Sequence, residues 1–178
     1  MFEEVLEFWF KEIQPEQQWR VDPGLDDAIR QRFGELHRAA NLGELWSWRS
    51  QARGRLAEII VLDQFSRNMH RGTREAFASD AMALALAQEA VAGGHDAVIP
   101  AEQRVFLYMP FEHSESKLVH IEAVRLFGSL GLPTYLDYEL RHKAIIDRFG
   151  RYPHRNDVLG RTSTPEELAF LEQPGSRF

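Results

Sequence analysis

The chain has 178 residues, 44% of them hydrophobic and 11% aromatic, with no cysteine and a formal charge of −6. That length fits one domain, 1–178, with a core of its own, and the composition excludes disorder. The missing cysteines exclude disulfides, thiolate nucleophiles and zinc–thiolate sites, and the acidic balance argues against general nucleic-acid binding.

No apolar run approaches the roughly 20 residues of a membrane span. The segment Met1-Phe2-Glu3-Glu4-Val5-Leu6-Glu7 carries acids where a signal peptide carries bases. The chain therefore reads as a soluble cytoplasmic protein with no membrane partner.

Helical periodicity dominates, and no segment alternates with period two. Helices are predicted at about 2–13, 24–41, 54–69, 76–93, 101–115, 116–130, 134–149 and 165–172. Asp22-Pro23-Gly24, Gly93-Gly94, Gly128 to Pro133 and Gly150 to Pro153 supply the breaks. Short connections favour antiparallel neighbours, so the expected fold is all-α, with about seven or eight helices in irregular hairpins.

In 54–69, Leu56, Ile59 and Ile60 form one apolar face, and Val61, Leu62, Phe65 and Met69 form another. A helix apolar on several sides is usually central. Asp63 and Arg67 lie four apart on this helix, a spacing that supports an ion pair, with Gln64 and Asn68 beside them. Two readings follow: an internal network that fixes helix docking, or Arg67 and Asn68 pointing into a pocket. Left without partners, such buried groups would cost several kcal/mol.

Alanines in 80–90 sit at helix-packing spacing and resemble one helix of a tetratricopeptide-type hairpin, although no 34-residue repeat recurs. In 101–115, Pro110 removes the bond to the Phe106 carbonyl and is predicted to kink or end the helix. His113 shares a stripe with Phe106 and Met109, with Glu112 and Glu115 nearby. It suits either a general base, a metal ligand or a core histidine. His120 and His142 also face inward. There is no His-Glu-x-x-His, and Glu139-Leu140-Arg141-His142 is a single Glu-x-x-His, so no metal site is expected.

From Arg141 to Arg161 the chain carries six Arg or Lys against two Asp, about +4 on an otherwise acidic protein. Local field decides what binds there more than net charge does. Arg67, Asn68, Arg151, His154, Arg155 and Arg161 are the candidate donors of an anion pocket, with Tyr152 as a wall. The bland reading gives the same arginines to helix caps and surface acids. Beyond the loop, Thr164, Pro165 and Glu167 spell a capping box at the start of the last helix.

Leu62-Asp63-Gln64-Phe65-Ser66-Arg67-Asn68, Tyr108-Met109-Pro110-Phe111-Glu112-His113-Ser114-Glu115 and Phe149-Gly150-Arg151-Tyr152-Pro153-His154-Arg155-Asn156 stand in this order. Leu159-Gly160-Arg161 and Ser163-Thr164-Pro165-Glu166-Glu167 follow. With the early Phe8-Trp9-Phe10, the sequence resembles an uncharacterised bacterial family, domain of unknown function 924, over nearly its whole length. The resemblance implies an all-helical, tetratricopeptide-like fold and no activity, so no catalytic residue is carried over.

Three functions remain open at this level. The leading one is a pocket for a small anion, a phosphate- or carboxylate-bearing ligand. The second is a hydrolase with His113 as acid/base and Glu112 or Glu115 orienting it or holding a metal. The third is an interaction module whose concave surface takes an acidic peptide, using Trp46 and Trp48. No cofactor is specified.

Overall fold

The computed structural model describes residues 1–177, and among them every regular element is helical. Helix α1 (Phe2–Glu7) runs directly into a π-helical turn, Phe8–Glu12. Helix α2 (Pro23–Asn41) begins where the Asp22 carboxylate accepts the Leu25 N–H and Pro23 sets the first turn. The chain leaves α2 through Gly43, whose φ of 74° is left-handed.

The central rod spans 52–69. It is built from α3 (Ala52–Ile60), a π-helical turn (Val61–Phe65) and α4 (Ser66–Met69). Leu56, Ile59, Ile60, Val61, Leu62 and Phe65 are all fully buried, as the multi-sided apolar pattern predicts. A π turn holds one residue more than an α turn and is frequent at functional sites; here it carries Asp63 and Gln64. Gly54 is required by close approach, since a Cβ there would meet the Trp48 carbonyl oxygen at 2.2 Å.

Helix α5 (Asp80–Ala92) buries Ala83, Ala87 and Ala90 completely, and these small side chains let it lie close against α3 and α6. Helices α6 (Ala101–Glu112), α7 (Lys117–Ser129) and α8 (Pro133–Phe149) pack as successive hairpins. Helix α6 passes through Pro110 and stops at Glu112, three residues short of the predicted end; Ser116 then caps α7. Helix α8 ends at Gly150, φ 71°.

The short α9 (Asn156–Leu159) and α10 (Pro165–Leu171) complete the chain. The predicted Thr164–Glu167 capping box forms at α10. Ile145, Ile146 and Tyr152, with Phe149 and Phe170, make a small second core that anchors this end. No helix among the described residues is long and apolar enough to cross a membrane.

Candidate functional site

A cavity of about 870 Å³ opens between α4, α6, α8, the 16–21 loop and the 3-10 turn Pro153–Arg155. Its size is that of a small-molecule site. Trp19, Phe77, Met109, Phe127, Tyr135 and Tyr138 supply its apolar walls. The 16–21 loop is held by the Gln18 side-chain amide, which donates to the Trp9 carbonyl at 2.6 Å. Trp19 stacks on Phe106 and leans on Tyr135, with ring centroids 5.5 and 5.6 Å away.

Asp63 organises the polar end. Fully buried in the π turn, its Oδ1 accepts from Arg67 Nη1 at 3.1 Å and pairs with His113 Nδ1 at 2.8 Å, while Gln64 donates to Oδ2 at 2.6 Å. Burial by itself would raise the Asp63 carboxyl; Arg67 and His113 outweigh it and hold it far below the usual carboxylate range. The same balance acts on His113 in reverse. Burial and the Arg67 charge push the imidazole down more than Asp63 raises it, so it is neutral at pH 7. With Nδ1–H given to Asp63, Nε2 is the unprotonated nitrogen, and the ring lines the cavity.

Arg67 continues this chain of charges. Its Nη1 and Nη2 reach Asp80 at 3.0 and 3.1 Å, so one guanidinium bridges two carboxylates. Arg71 is also taken, by two bonds to Asp26 at 2.7 and 2.9 Å, and Asn68 donates to the same carboxylate at 2.8 Å.

Arg155 differs. It is buried against the cavity between the rings of Phe77 and Tyr152, at 4.7 and 4.5 Å. Its Nε has no hydrogen-bond partner, and its Nη1 stands 3.5 Å from Asp80, longer than the roughly 2.8 Å of a good charge-assisted bond. Glu112 faces the same space with Oε1 unsatisfied and 3.5 Å from His142 Nδ1. Burial, then the nearby Glu139 and Asp63, raise the Glu112 carboxyl well above its ordinary value. Burial also pushes His142 down to about 3 and His154 to about 4, so both cavity imidazoles are neutral. His142 Nδ1 donates to the Tyr138 carbonyl at 2.8 Å.

The structure divides the residues singled out from the sequence. Arg67, Asn68, Glu112, His113, His154 and Arg155 line this one cavity; Arg151, Tyr152, Arg161 and Glu115 are not among its walls. Arg151 grips Glu167 through Nε and Nη2, at 2.6 and 2.8 Å, and the Thr162 carbonyl. Arg161 makes a two-pronged pair with Glu115, at 2.6 and 3.0 Å, and adds Asn156 and the Tyr152 carbonyl. Glu115 also accepts the Tyr152 N–H at 2.8 Å, so it orients this loop and not His113. Tyr152 is fully buried, its hydroxyl donating to the Glu112 carbonyl. His120 serves the framework as well: Nδ1 meets Glu139 and Nε2 meets the Ser114 carbonyl, each at 2.8 Å. Trp46 and Trp48 do not share a surface, because Trp48 is in the core and Trp46 is exposed.

Sequence reasoning missed Asp80, which reads as an ordinary first-turn acid of α5, and Arg71, which carried no signal. It also missed the aromatic wall. Tyr135 and Tyr138, three apart on α8, were its one legible trace. Among the described residues, no group of three or more His, Asp or Glu is placed to hold a metal ion.

The fold recurs in another protein. The protein of unknown function ATU0120 from Agrobacterium tumefaciens, a solved structure, is similar at a TM-score of 0.92 and 39% identity, with 96% of each chain covered. No curated protein matches the sequence. The family described as "Bacterial protein of unknown function (DUF924)" matches residues 5–175. With nearly its whole length matched, the chain belongs to that bacterial family.

Proposed function

We propose that the chain binds a small organic molecule bearing an anionic group, phosphate or carboxylate, in the cavity beside α6, with Arg155 meeting that group. One observation carries the reading: a buried guanidinium at the cavity wall whose Nε lacks a partner and whose nearest carboxylate is 3.5 Å away. Arginine stays charged under these conditions, and a buried charge without good hydrogen bonds destabilises a fold. A ligand oxygen at Arg155 removes that penalty. The test is thermal unfolding of the full chain against a panel of carboxylates and phosphate esters at fixed ionic strength. Ligand near a hundred times its dissociation constant adds about 2.7 kcal/mol of stability. A panel without any shift, or shifts that persist in Arg155→Met, would rule the reading out.

A second reading, acid–base hydrolysis, is favoured by the Asp63–His113 pair at 2.8 Å. In it Asp63, and not Glu112 or Glu115, orients the imidazole, and His113 Nε2 takes the proton of an attacking water. Turnover of an ester panel that survives His113→Gln in a folded protein would remove this reading and leave the binding one untouched.

A further inference from the structure

We infer that the ligand is an aromatic monocarboxylate and not a phosphate ester, because the cavity holds one poorly neutralised buried cation between ring walls. The inference rests on the anion-binding reading and narrows it. Arg67 is matched by Asp63 and Asp80, and Arg71 by Asp26, all within 3.1 Å. Glu16 adds a further acid to the lining. Of the four guanidiniums lining the cavity, Arg20 is largely exposed and 3.8 Å from Asp22, and Arg155 is the buried one at a longer distance, 3.5 Å from an Asp80 already held at two points by Arg67.

A carboxylate brings one charge and two coplanar oxygens, which fit the planar fork of a guanidinium. A phosphate monoester brings about −1.5 to −2 at pH 7 and a third oxygen. That extra charge would face Asp80, and behind Arg67 it would face Asp63, with no further buried cation to answer it, since the remaining lining arginine, Arg20, is largely exposed. The body of the ligand is read from the walls. Trp19, Phe77, Tyr135 and Tyr138 line the cavity, and an aromatic ligand packed on aromatic side chains gains beyond its buried area. Arg155 itself lies over the rings of Phe77 and Tyr152, so the carboxylate end and the aromatic wall adjoin.

The test holds the apolar body constant and changes only the head. Calorimetric titration of the full chain compares 2-naphthoate, 2-naphthyl phosphate and 2-naphthamide at one pH and ionic strength. The expected result is naphthoate binding at least about tenfold tighter than either analogue, with that margin lost in Arg155→Met, as for a hydrogen-bonded charge. Where Arg155→Met does not fold, Arg155→Gln replaces it, and the same loss is expected because the positive charge is gone. Tighter binding of the phosphate overturns the inference and leaves anion binding standing. Equal binding of the amide overturns both, since charge is then not what the site reads. Binding by none of the three overturns the aromatic carboxylate, while the wider anion panel still decides the broader reading.

Discussion

Arg161 and Arg155 flank the short helix α9 in opposite chemical situations. Arg161 donates to both Glu115 oxygens, to Asn156 and to the Tyr152 carbonyl. Arg155 has one carboxylate at 3.5 Å and an Nε with no partner. The first arginine, with Arg151 on Glu167, fixes the path of the loop; the second is what that fixed path delivers to the cavity. A run of basic residues is thus two populations, and only the unsaturated member has donors left for a ligand. The same split appears at the end of α6, where Glu115, just beyond the helix, is fully used and Glu112, its last residue, is not.

Four substitutions sharpen or break this contrast. The largest effect is expected at the saturated hub: Asp63→Ala strands the His113 N–H and the Gln64 amide and leaves Arg67 with Asp80 alone, and should cost about 3–5 kcal/mol in urea unfolding. A loss under about 1 kcal/mol would mean the hub is not structural. Next, Glu115→Gln weakens the Arg161 fork, with an expected loss of about 1.5–3 kcal/mol. Burial pushes Glu115 up, but Arg161 and the Tyr152 N–H hold it below its ordinary value. Its contribution is therefore full above the ordinary glutamate pKa and is lost as pH falls through the lowered one. The gap between wild type and variant should close on acidification, and a pH-independent gap would contradict the assignment.

Glu112→Gln should show the opposite sign. A carboxyl raised by burial contributes fully below the ordinary value near about 4.3 and loses that contribution as pH rises toward the folded one. The variant should match wild type at pH 4 and exceed it at pH 8; a deficit at pH 8 would show that the charged form is wanted. The smallest change is expected at Arg155→Met: stability within about 1 kcal/mol of wild type, on the higher side, because an ill-paired buried charge becomes an apolar chain of similar reach. A loss like that of Glu115→Gln would place Arg155 with the framework and end the contrast.

Asp63–Arg67, the capping box at Thr164–Glu167, the central helix predicted at 54–69 and the all-helical class were all legible in the sequence. Each depends on residues within one turn of one another, or on an apolar pattern along a single helix, and i→i+4 geometry fixes those wherever the helix lies. The candidate site was legible only as a set of residue types. Asp63 meets His113, Arg67 meets Asp80 and Glu115 meets Arg161 across separations of 50, 13 and 46 residues. Tertiary packing alone decided which of the basic residues would be neutralised and which would be left facing the cavity. A charge is cancelled only by a partner within a few ångströms, and helix docking sets those distances.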